Sequence, residues 1–229
     1  MPVCDFLKEK KLNNRICILR HDVDRGINCA LKTAELENKM KIRASYYFRY
    51  PKTFKKDVIE KIQNLGHEIG YHYETLAKAK GDMFKARDLF KKELQDFREI
   101  APVSTIAAHG SPASKWDNKK MWADFNFKDF NILGEAYLSV DFDEVFYITD
   151  TGRGWNRSQA NIRDTVVTKL NLKFYNTGKL IQAIKNDELP GKIMLSIHPN
   201  RWNDNLILWS LEFFGQNAKN IVKKLIKHG

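Results

Sequence analysis

Two carboxylates spaced two residues apart are the first feature of the chain that could do chemistry. They lie in the stretch His21-Asp22-Val23-Asp24, which follows an apolar run. Successive side chains alternate on an extended strand, so Asp22 and Asp24 would share one face and His21 would take the other. One carboxylate could then hold a metal ion while the other accepts a proton. The same spacing fits an aspartate pair that caps the following helix, and the motif alone leaves both interpretations open.

Histidines recur at similar positions along the chain. Three of the six, His72, His109 and His198, lie where apolar runs of strand character end. Imidazole binds metal ions and transfers protons near neutral pH, so the repeated position carries more weight than any single motif. Glu74 would share a face with His72 and could be a metal ligand or could orient one. His67 would face the other way, and we expect it to hold a loop through a hydrogen bond.

A further polar stretch, residues 150–157, brings an aspartate, two arginines and a tryptophan together after an apolar run. An indole face suits a sugar ring, and arginine suits a carboxylate or a phosphate, so the stretch could line a sugar pocket. It fits equally a salt-bridged loop in which the tryptophan covers the core. The predicted substrate contacts, here and at the other strand ends, are Glu74, Asp150, Arg153, Trp155, Arg157, Arg201 and Trp202.

The elements that must position these residues alternate between strand and helix character. Such alternation predicts parallel strands joined by helical crossovers, with the chemistry at the carboxyl ends of the strands. No repeat or linker divides the chain, so residues 1–229 are expected to form one domain. The predicted strands are 16–24, 42–49, 68–73, 104–108, 145–149 and 192–197. The predicted helices are 28–40, 54–65, 83–100, 177–184 and 206–226.

Composition is that of an ordinary globular protein, since 43% of the 229 residues are hydrophobic and 29% are charged. No apolar run is long enough to span a membrane, and the first residues do not resemble a signal peptide. The chain has three cysteines and no CxxC pair, so neither a disulfide framework nor a cysteine zinc site is expected. These features favour a cytoplasmic location.

The net charge of +11 would attract phosphate-rich partners. The lysines are scattered, mostly as doublets, which favours a solvated surface over a nucleic-acid groove. No recognition helix, zinc finger or RNA-binding aromatic motif is present, so nucleic-acid binding is not predicted. The last predicted helix is basic and amphipathic. It could make a weak contact with a membrane surface, but packing against the rest of the fold is the favoured expectation.

Together, the motifs resemble those of the polysaccharide deacetylases, also called carbohydrate esterase family 4 or NodB-homology proteins. His21-Asp22-Val23-Asp24 is similar to the first motif of a branch that reads HDVD. Residues 66–70 read GHEIG, as in the second motif, and His198 matches the strand-end histidine of the fifth. The similarity runs from Ile16 to Trp202. It implies a distorted (β/α)7-type barrel and a divalent metal, with zinc as the first choice and cobalt, manganese or iron as alternatives.

The resemblance also implies roles for individual residues. Asp22 would be the catalytic base and His198 the general acid, while Asp24 and His72 would bind the metal. The implied reaction removes an acyl group, acetyl or formyl, from an amino sugar. Because the chain is basic and shows no signal peptide, we expect a nucleotide-linked or lipid-linked precursor of a surface polysaccharide as the substrate.

One ligand of the family's usual metal triad is missing from the motif. The family's second metal-binding histidine would fall at Leu76, which cannot bind a metal. His109 is the first choice to replace it, and Glu74 is the second. The family's fourth motif, an aspartate followed closely by a tryptophan, is matched loosely by Asp150 and Trp155. The incomplete triad supports an alternative function, a deacetylase-like carbohydrate-binding module without catalytic activity.

Overall fold

The structure is a computed structural model that describes the chain in six stretches. They are residues 1–9, 13–111, 113–155, 163–170, 172–174 and 176–228, with side chains as far as residue 221. The strands are β1 (Ile16–Val23), β2 (Ser45–Phe48), β3 (Glu68–Tyr73), β4 (Thr105–Ala108), β5 (Gly134–Glu135), β6 (Phe146–Thr149) and β7 (Lys192–Ile197). The α-helices are α1 (Val3–Lys8), α2 (Ile27–Lys39), α3 (Lys56–Asn64), α4 (Thr75–Lys78), α5 (Met83–Arg98), α6 (Thr177–Lys185) and α7 (Leu206–His228).

All seven strands belong to one parallel sheet, in the order β5-β4-β3-β2-β1-β7-β6. The sheet curls into a half-barrel with helices against it, which confirms the predicted α/β fold with a distorted (β/α)7-type barrel. Because every strand runs the same way, the carboxyl ends of all seven lie along one edge. The loops that carry the predicted chemistry therefore start from neighbouring positions.

Alternation along the strands separates two apolar layers. Outward-facing Tyr46 and Phe48 of β2 pack with the helices, where Phe97 of α5 belongs to the same buried cluster. Inward-facing Tyr47, between them in sequence, packs with Ile18 of β1 inside the half-barrel. All five side chains are fully buried, and burying one such side chain stabilises a fold by about 1.5–3 kcal/mol. These two layers hold the strands in the positions that the loops require.

Helix α1 covers the amino-terminal ends of the central strands. The backbone N–H groups of Val3 and Cys4, at the start of this helix, donate to Ser45 Oγ at 2.7 Å and to Glu68 Oε2 at 3.0 Å. Ser45 and Glu68 are the first residues of β2 and β3. These hydrogen bonds satisfy helix N–H groups that have no partner within the helix itself. The opposite end of the strands is left to the loops.

The half-barrel is closed between its two edge strands by side chains. Tyr137, just after β5, and Tyr147 of β6 have ring centroids 6.1 Å apart. The hydroxyl groups of both tyrosines donate to Oδ1 of Asp164. In the described part of the chain, β5 and β6 share no backbone ladder. We call this closure, formed by Tyr137, Tyr147 and Asp164, the tyrosine seam.

Helix α7 does not pack as the sequence predicts. Leu211, Phe214 and Ile221 belong to the apolar face of this amphipathic helix, yet they are 65%, 70% and 61% exposed. The helix contacts the short 3-10 turns at 151–153 and 199–201. The expectation that this face packs against the barrel is therefore wrong for these three residues. Among the helices described, none combines the length and the apolar character needed to cross a bilayer.

A glycine allows an aromatic ring to cross the inside of the half-barrel. A Cβ atom at Gly70 of β3 would overlap the ring of Tyr47. We expect Gly70→Ala to lower the free energy of unfolding by about 2 kcal/mol, because overpacking a tight core displaces side chains or backbone. Urea denaturation measures this change. The matched control is Gly215→Ala, which adds a Cβ in open space on α7. Gly70→Ala with wild-type stability would contradict the expectation.

Candidate active site

A cleft of about 300 Å³ opens at the carboxyl ends of the parallel strands. It gathers residues from loops that are far apart in sequence but follow neighbouring strands. Parallel strands bring such loops together at one edge. Several of the predicted site residues therefore meet at the edge of the sheet that strand–helix alternation indicates. The predicted site residues that line this cleft are Asp22, Asp24, His72, His109, His198 and Arg201.

Asp24 lies at the centre of a cluster of histidines. Its Oδ1 is 3.5 Å from the Nε2 atoms of both His72 and His109, and its Oδ2 is 3.9 Å from Nε2 of His198. Burial opposes ionisation, but the attraction of the histidines and of Arg49 lowers the pKa of Asp24 below its ordinary value. Asp24 Oδ1 is buried and has no hydrogen-bond partner among the described residues. An ionised oxygen without a donor is unusual in a protein interior.

His72 presents a free lone pair to Asp24. Its Nδ1 is 2.9 Å from the backbone oxygen of Ala107, which can only accept, so Nδ1 carries the proton. Burial lowers the pKa of His72 to about 4, so the ring is neutral at pH 7. Its Nε2 therefore has no proton to donate to Asp24. A neutral imidazole nitrogen facing a carboxylate oxygen in this way is the form that binds metal ions.

Glu74 holds His109 from behind. Glu74 Oε2 is 2.9 Å from His109 Nδ1, and both carboxylate oxygens accept from Arg49 Nη2 at 2.8 and 2.7 Å. Burial opposes ionisation, but His109 and then Arg49 lower the pKa of Glu74 to about 2. A carboxylate in this position fixes the ring of a histidine and directs its other nitrogen outward. Of the two candidates for the third metal ligand, His109 is therefore the one that faces Asp24.

The donors around Asp24 fit a small divalent cation. A tetrahedral ion with bonds of about 2.05 Å holds its ligand atoms about 3.4 Å apart. The two 3.5 Å distances from Asp24 Oδ1 to the imidazole nitrogens of His72 and His109 match that spacing. Within the described ranges, no three His, Cys, Asp or Glu side chains are placed so that they could hold a metal ion together without moving. The unpartnered Oδ1 of Asp24 still favours a cation at this place, because only a cation or a hydrogen-bond donor stabilises such an atom.

Asp22 is bound by an arginine rather than by the histidines. Arg20 Nε and Nη2 donate to Asp22 Oδ1 and Oδ2, each at 2.8 Å, and both side chains are buried. The guanidinium of Arg20 also lies 4.2 Å from the ring centroid of Tyr137. Arg20 was not among the predicted site residues. The alternation that pairs Asp22 with Asp24 could have found it, because Arg20 lies two residues before Asp22 on the same face of β1.

His198 forms a pair with Asp150. His198 Nδ1 is 2.7 Å from Asp150 Oδ1, which also accepts from Arg201 Nη1 at 2.7 Å. Trp202 Nε1 donates to the second oxygen of Asp150 at 3.0 Å. Burial lowers the pKa of His198, but the charge of Asp150 and its hydrogen bond outweigh burial and raise it. Asp150, predicted as a substrate contact, thus lies behind His198 and orients it.

Three of the other predicted substrate contacts lie outside the cleft. Arg153, Trp155 and Trp202 line a separate cavity of about 260 Å³. Arg153 Nε donates to Glu212 of α7 at 2.7 Å, and Trp155 is buried. This arrangement is the salt-bridged loop that the sequence offered as an alternative. Arg157 lies outside the described residues.

The remaining motif positions have structural surroundings. Leu76, which occupies the family's histidine position, is on α4, 2% exposed, in the apolar layer beneath the helices. His67 Nε2 is 3.0 Å from the backbone oxygen of Ala34, so it ties a loop to α2. His21 points away from the cleft, with its Nε2 2.7 Å from Glu37 Oε1. None of these three lines the cleft.

Comparison with known proteins identifies the fold. No family model and no curated protein matches the chain. A CE4 family pseudoenzyme from Bacillus anthracis superposes with a TM-score of 0.51 at 16% identity, over 95% of this chain and 62% of its own. A peptidoglycan N-acetylglucosamine deacetylase gives a TM-score of 0.51 at 15% identity, over 81% and 72%.

A third solved structure is similar over most of both chains. The catalytic domain of a peptidoglycan N-acetylglucosamine deacetylase from Eubacterium rectale gives a TM-score of 0.50 at 13% identity, over 92% of this chain and 87% of its own. By contrast, this chain spans less than two thirds of the pseudoenzyme's length, 62%. Similarity at this level of identity concerns the fold. The chain therefore has the fold of the carbohydrate esterase family 4 polysaccharide deacetylases, which its motifs resemble.

Proposed function

We propose that this protein is a metal-dependent hydrolase that removes an acyl group from the nitrogen of an amino sugar. The observation that carries the proposal is the cluster around Asp24. A buried carboxylate oxygen without a donor faces two imidazole nitrogens at 3.5 Å, beside a second aspartate held by an arginine. Asp24, His72 and His109 would hold the ion. Zinc is the first choice for it, with cobalt, manganese or iron as alternatives.

A bound divalent ion would acidify a water molecule and polarise the acyl carbonyl. Asp22, whose Oδ2 is 3.8 Å from His72 Nε2, is close enough to this place to accept the proton of the attacking water. Arg20 fixes the orientation of the Asp22 carboxylate. His198 donates a proton to the departing amine, which is a poor leaving group without one. Asp150 holds His198 Nδ1 and so leaves Nε2 directed at the cleft.

The proposed substrate is an amino sugar with an acetyl or formyl group on its nitrogen. Two of the similar structures are named as peptidoglycan N-acetylglucosamine deacetylases, which supports this substrate class. We place the sugar on a nucleotide-linked or lipid-linked precursor of a surface polysaccharide, and the protein, as a single domain, in the cytoplasm. The three cysteines, all within the described ranges, form no disulfide, which suits a reducing compartment.

A second candidate function is a carbohydrate-binding module without catalytic activity. Leu76, buried away from the cleft, favours it, because the family's second metal-binding histidine would stand at this position. One of the similar structures is named as a pseudoenzyme. The two candidates differ in one measurable property, since only the hydrolase needs the ion.

Metal content tests the proposal. We expect the protein, purified without chelators or a nickel column, to carry close to one equivalent of a divalent metal by elemental analysis. Asp24→Ala, His72→Ala and His109→Ala should each lose most of it, because every variant removes one of the three donors. A wild-type protein that binds no metal, even when zinc is offered at micromolar concentration, would contradict the hydrolase and favour the binding module.

Glu74 provides the discriminating variant in the same assay. If Glu74 only orients His109, Glu74→Ala should still bind metal, but with an affinity about 10- to 100-fold lower. Glu93→Ala is the matched control, because Glu93 also pairs with a basic side chain, Lys78, but does not line the cleft. Complete loss of metal in Glu74→Ala with retention in His109→Ala would show that Glu74, and not His109, is the third ligand.

A further inference from the structure

The cleft carries more positive charge than its own acids balance. Six basic and three acidic side chains line it. Three of the basic side chains have evident partners. Arg49 and Arg201 pair with Glu74 and Asp150, and Arg163 donates to backbone oxygens. The structure therefore accounts for half of the positive charge by local contacts.

The other three basic side chains are Arg25, Lys52 and Lys219, which we call the cationic rim. Arg25 follows β1, Lys52 follows β2 and Lys219 lies on α7, so three separate elements bring them to one cleft. None has an ion pair or a side-chain hydrogen bond within the described ranges. Partial burial and the repulsion of Arg49 and Arg25 lower the pKa of Lys52 in spite of Asp24 and Glu74. Burial and Arg25 lower the pKa of Lys219 in spite of Glu212.

Three like charges that line one cleft without an ion-pair partner repel one another, and an anion in the cleft relieves that repulsion. We propose that the cationic rim binds the phosphate group of a substrate in which the sugar is joined to a phosphate ester. This inference rests on the proposed function, because it names the substrate class for the same cleft. A neutral polysaccharide would offer the rim no counter-charge. The phosphodiester or pyrophosphate of such a substrate is ionised at neutral pH and offers several acceptor oxygens to the donors of the rim.

Two further N–H groups in the same cleft have no partner. Nε of Arg49 and Nε of Arg201 are buried and make no hydrogen bond in the described part of the chain. The Arg201 side chain is only 9% exposed. Guanidinium N–H groups suit phosphate oxygens, because several donors lie in one plane. Both arginines line the cleft, so their side chains add to the positive charge that an anion there would meet.

A sugar phosphate could come from either of two sources. A nucleotide sugar would reach the cleft from solution. A lipid-linked sugar would reach it from a membrane, and Lys219 of the rim lies on the same helix as the exposed Leu211, Phe214 and Ile221. The shared chemistry is the phosphate ester next to the sugar. The experiment therefore needs one arm for each source.

Binding is measured by calorimetry in Asp22→Asn protein, so that no ligand is consumed. The probes are UDP-N-acetylglucosamine and N-acetylglucosamine. We expect the phosphate-bearing probe to bind roughly tenfold more tightly or better at low salt, since charge-assisted hydrogen bonds are added. Raising the salt concentration should reduce this ratio. The lipid arm measures cosedimentation with neutral vesicles that carry N-acetylglucosamine linked to polyprenyl phosphate, against the same vesicles without it.

The rim variants are Arg25→Gln, Lys52→Gln and Lys219→Gln. Each should reduce the ratio of the two affinities by about twofold, as expected for partly exposed charges, and the triple variant should abolish it. Lys91→Gln, an exposed lysine of α5, is the matched control and should leave the ratio unchanged. Binding of either phosphate-bearing probe that depends on the rim supports the subsite, and the arm in which it occurs identifies the source.

Equal binding of charged and neutral probes, no binding of either phosphate-bearing probe, or rim variants that behave like Lys91→Gln would overturn the subsite. Failure of the proposed function would look different. A chain that holds no metal but still binds the sugar phosphate through the rim would retain the subsite and lose the hydrolase. Metal-dependent hydrolysis of a neutral sugar with no effect of the rim would do the reverse.

Discussion

Asp22→Asn should lower the rate of acyl hydrolysis by about a thousandfold, within the range expected for loss of a general base. Asparagine keeps the size of the side chain but cannot accept the proton of the attacking water at neutral pH. It also turns an N–H group toward one donor of Arg20, which held both carboxylate oxygens at 2.8 Å. The measurement is kcat on an N-acetylated amino sugar, with metal content determined on the same sample.

The metal measurement separates loss of the base from loss of the ion. Asp22 contacts Arg20, whereas the metal is assigned to Asp24, His72 and His109, so metal content should stay at the wild-type level. Asp57→Asn, an exposed aspartate on α3, is the matched control and should leave the rate unchanged. Asp22→Asn protein that binds metal and works within tenfold of the wild-type rate would exclude Asp22 as the base.

His198→Ala should slow amide hydrolysis by about a hundredfold and leave hydrolysis of 4-nitrophenyl acetate within about threefold. The amide releases an amine, which needs a proton to depart, whereas 4-nitrophenolate leaves without one. His198 is set up as a donor because Asp150 holds its Nδ1 at 2.7 Å and raises its pKa against the effect of burial. The comparison of kcat on the two substrates isolates proton donation from every other role.

Asp150→Asn should have a weaker effect than His198→Ala in the same test. It keeps a hydrogen-bond acceptor for His198 but removes the charge, so we expect the same selective loss on the amide with a smaller magnitude. An equal loss on amide and ester in His198→Ala would show instead that His198 shapes the cleft or the metal site. Thermal unfolding of both variants checks that a buried pair has been altered without loss of the fold.

Much of the fold is readable from the sequence because its strands are short apolar runs with clear ends. β3 and β7 begin and end at the predicted residues, 68–73 and 192–197. Helix α1 was not predicted, since six residues carry too little periodicity and its N–H groups are bound by distant side chains of β2 and β3. β5 has two residues, too few to show alternation.

The sequence predicts those site residues that directly follow the ends of strands. Parallel topology alone brings Asp24, His72, His109 and His198 to one cleft. The same reasoning wrongly predicts Arg153 as a residue of the cleft. Its partner Glu212 lies 59 residues away, on a helix whose position the sequence does not reveal. The role of Glu74 depends in the same way on Arg49, which belongs to another strand end.

At the tyrosine seam, the wall of the cleft is held by side chains, whereas the rest of the sheet is held by backbone hydrogen bonds. β1 and β3, which position Asp24 and His72, are each flanked on both sides by backbone ladders. The wall between β5 and β6 is held by two aromatic rings and one carboxylate. Substitutions there can widen or narrow the entrance without changing a single ladder hydrogen bond. The size of the molecule that the cleft admits can therefore change while Asp24 and His72 keep their positions at the ends of β1 and β3.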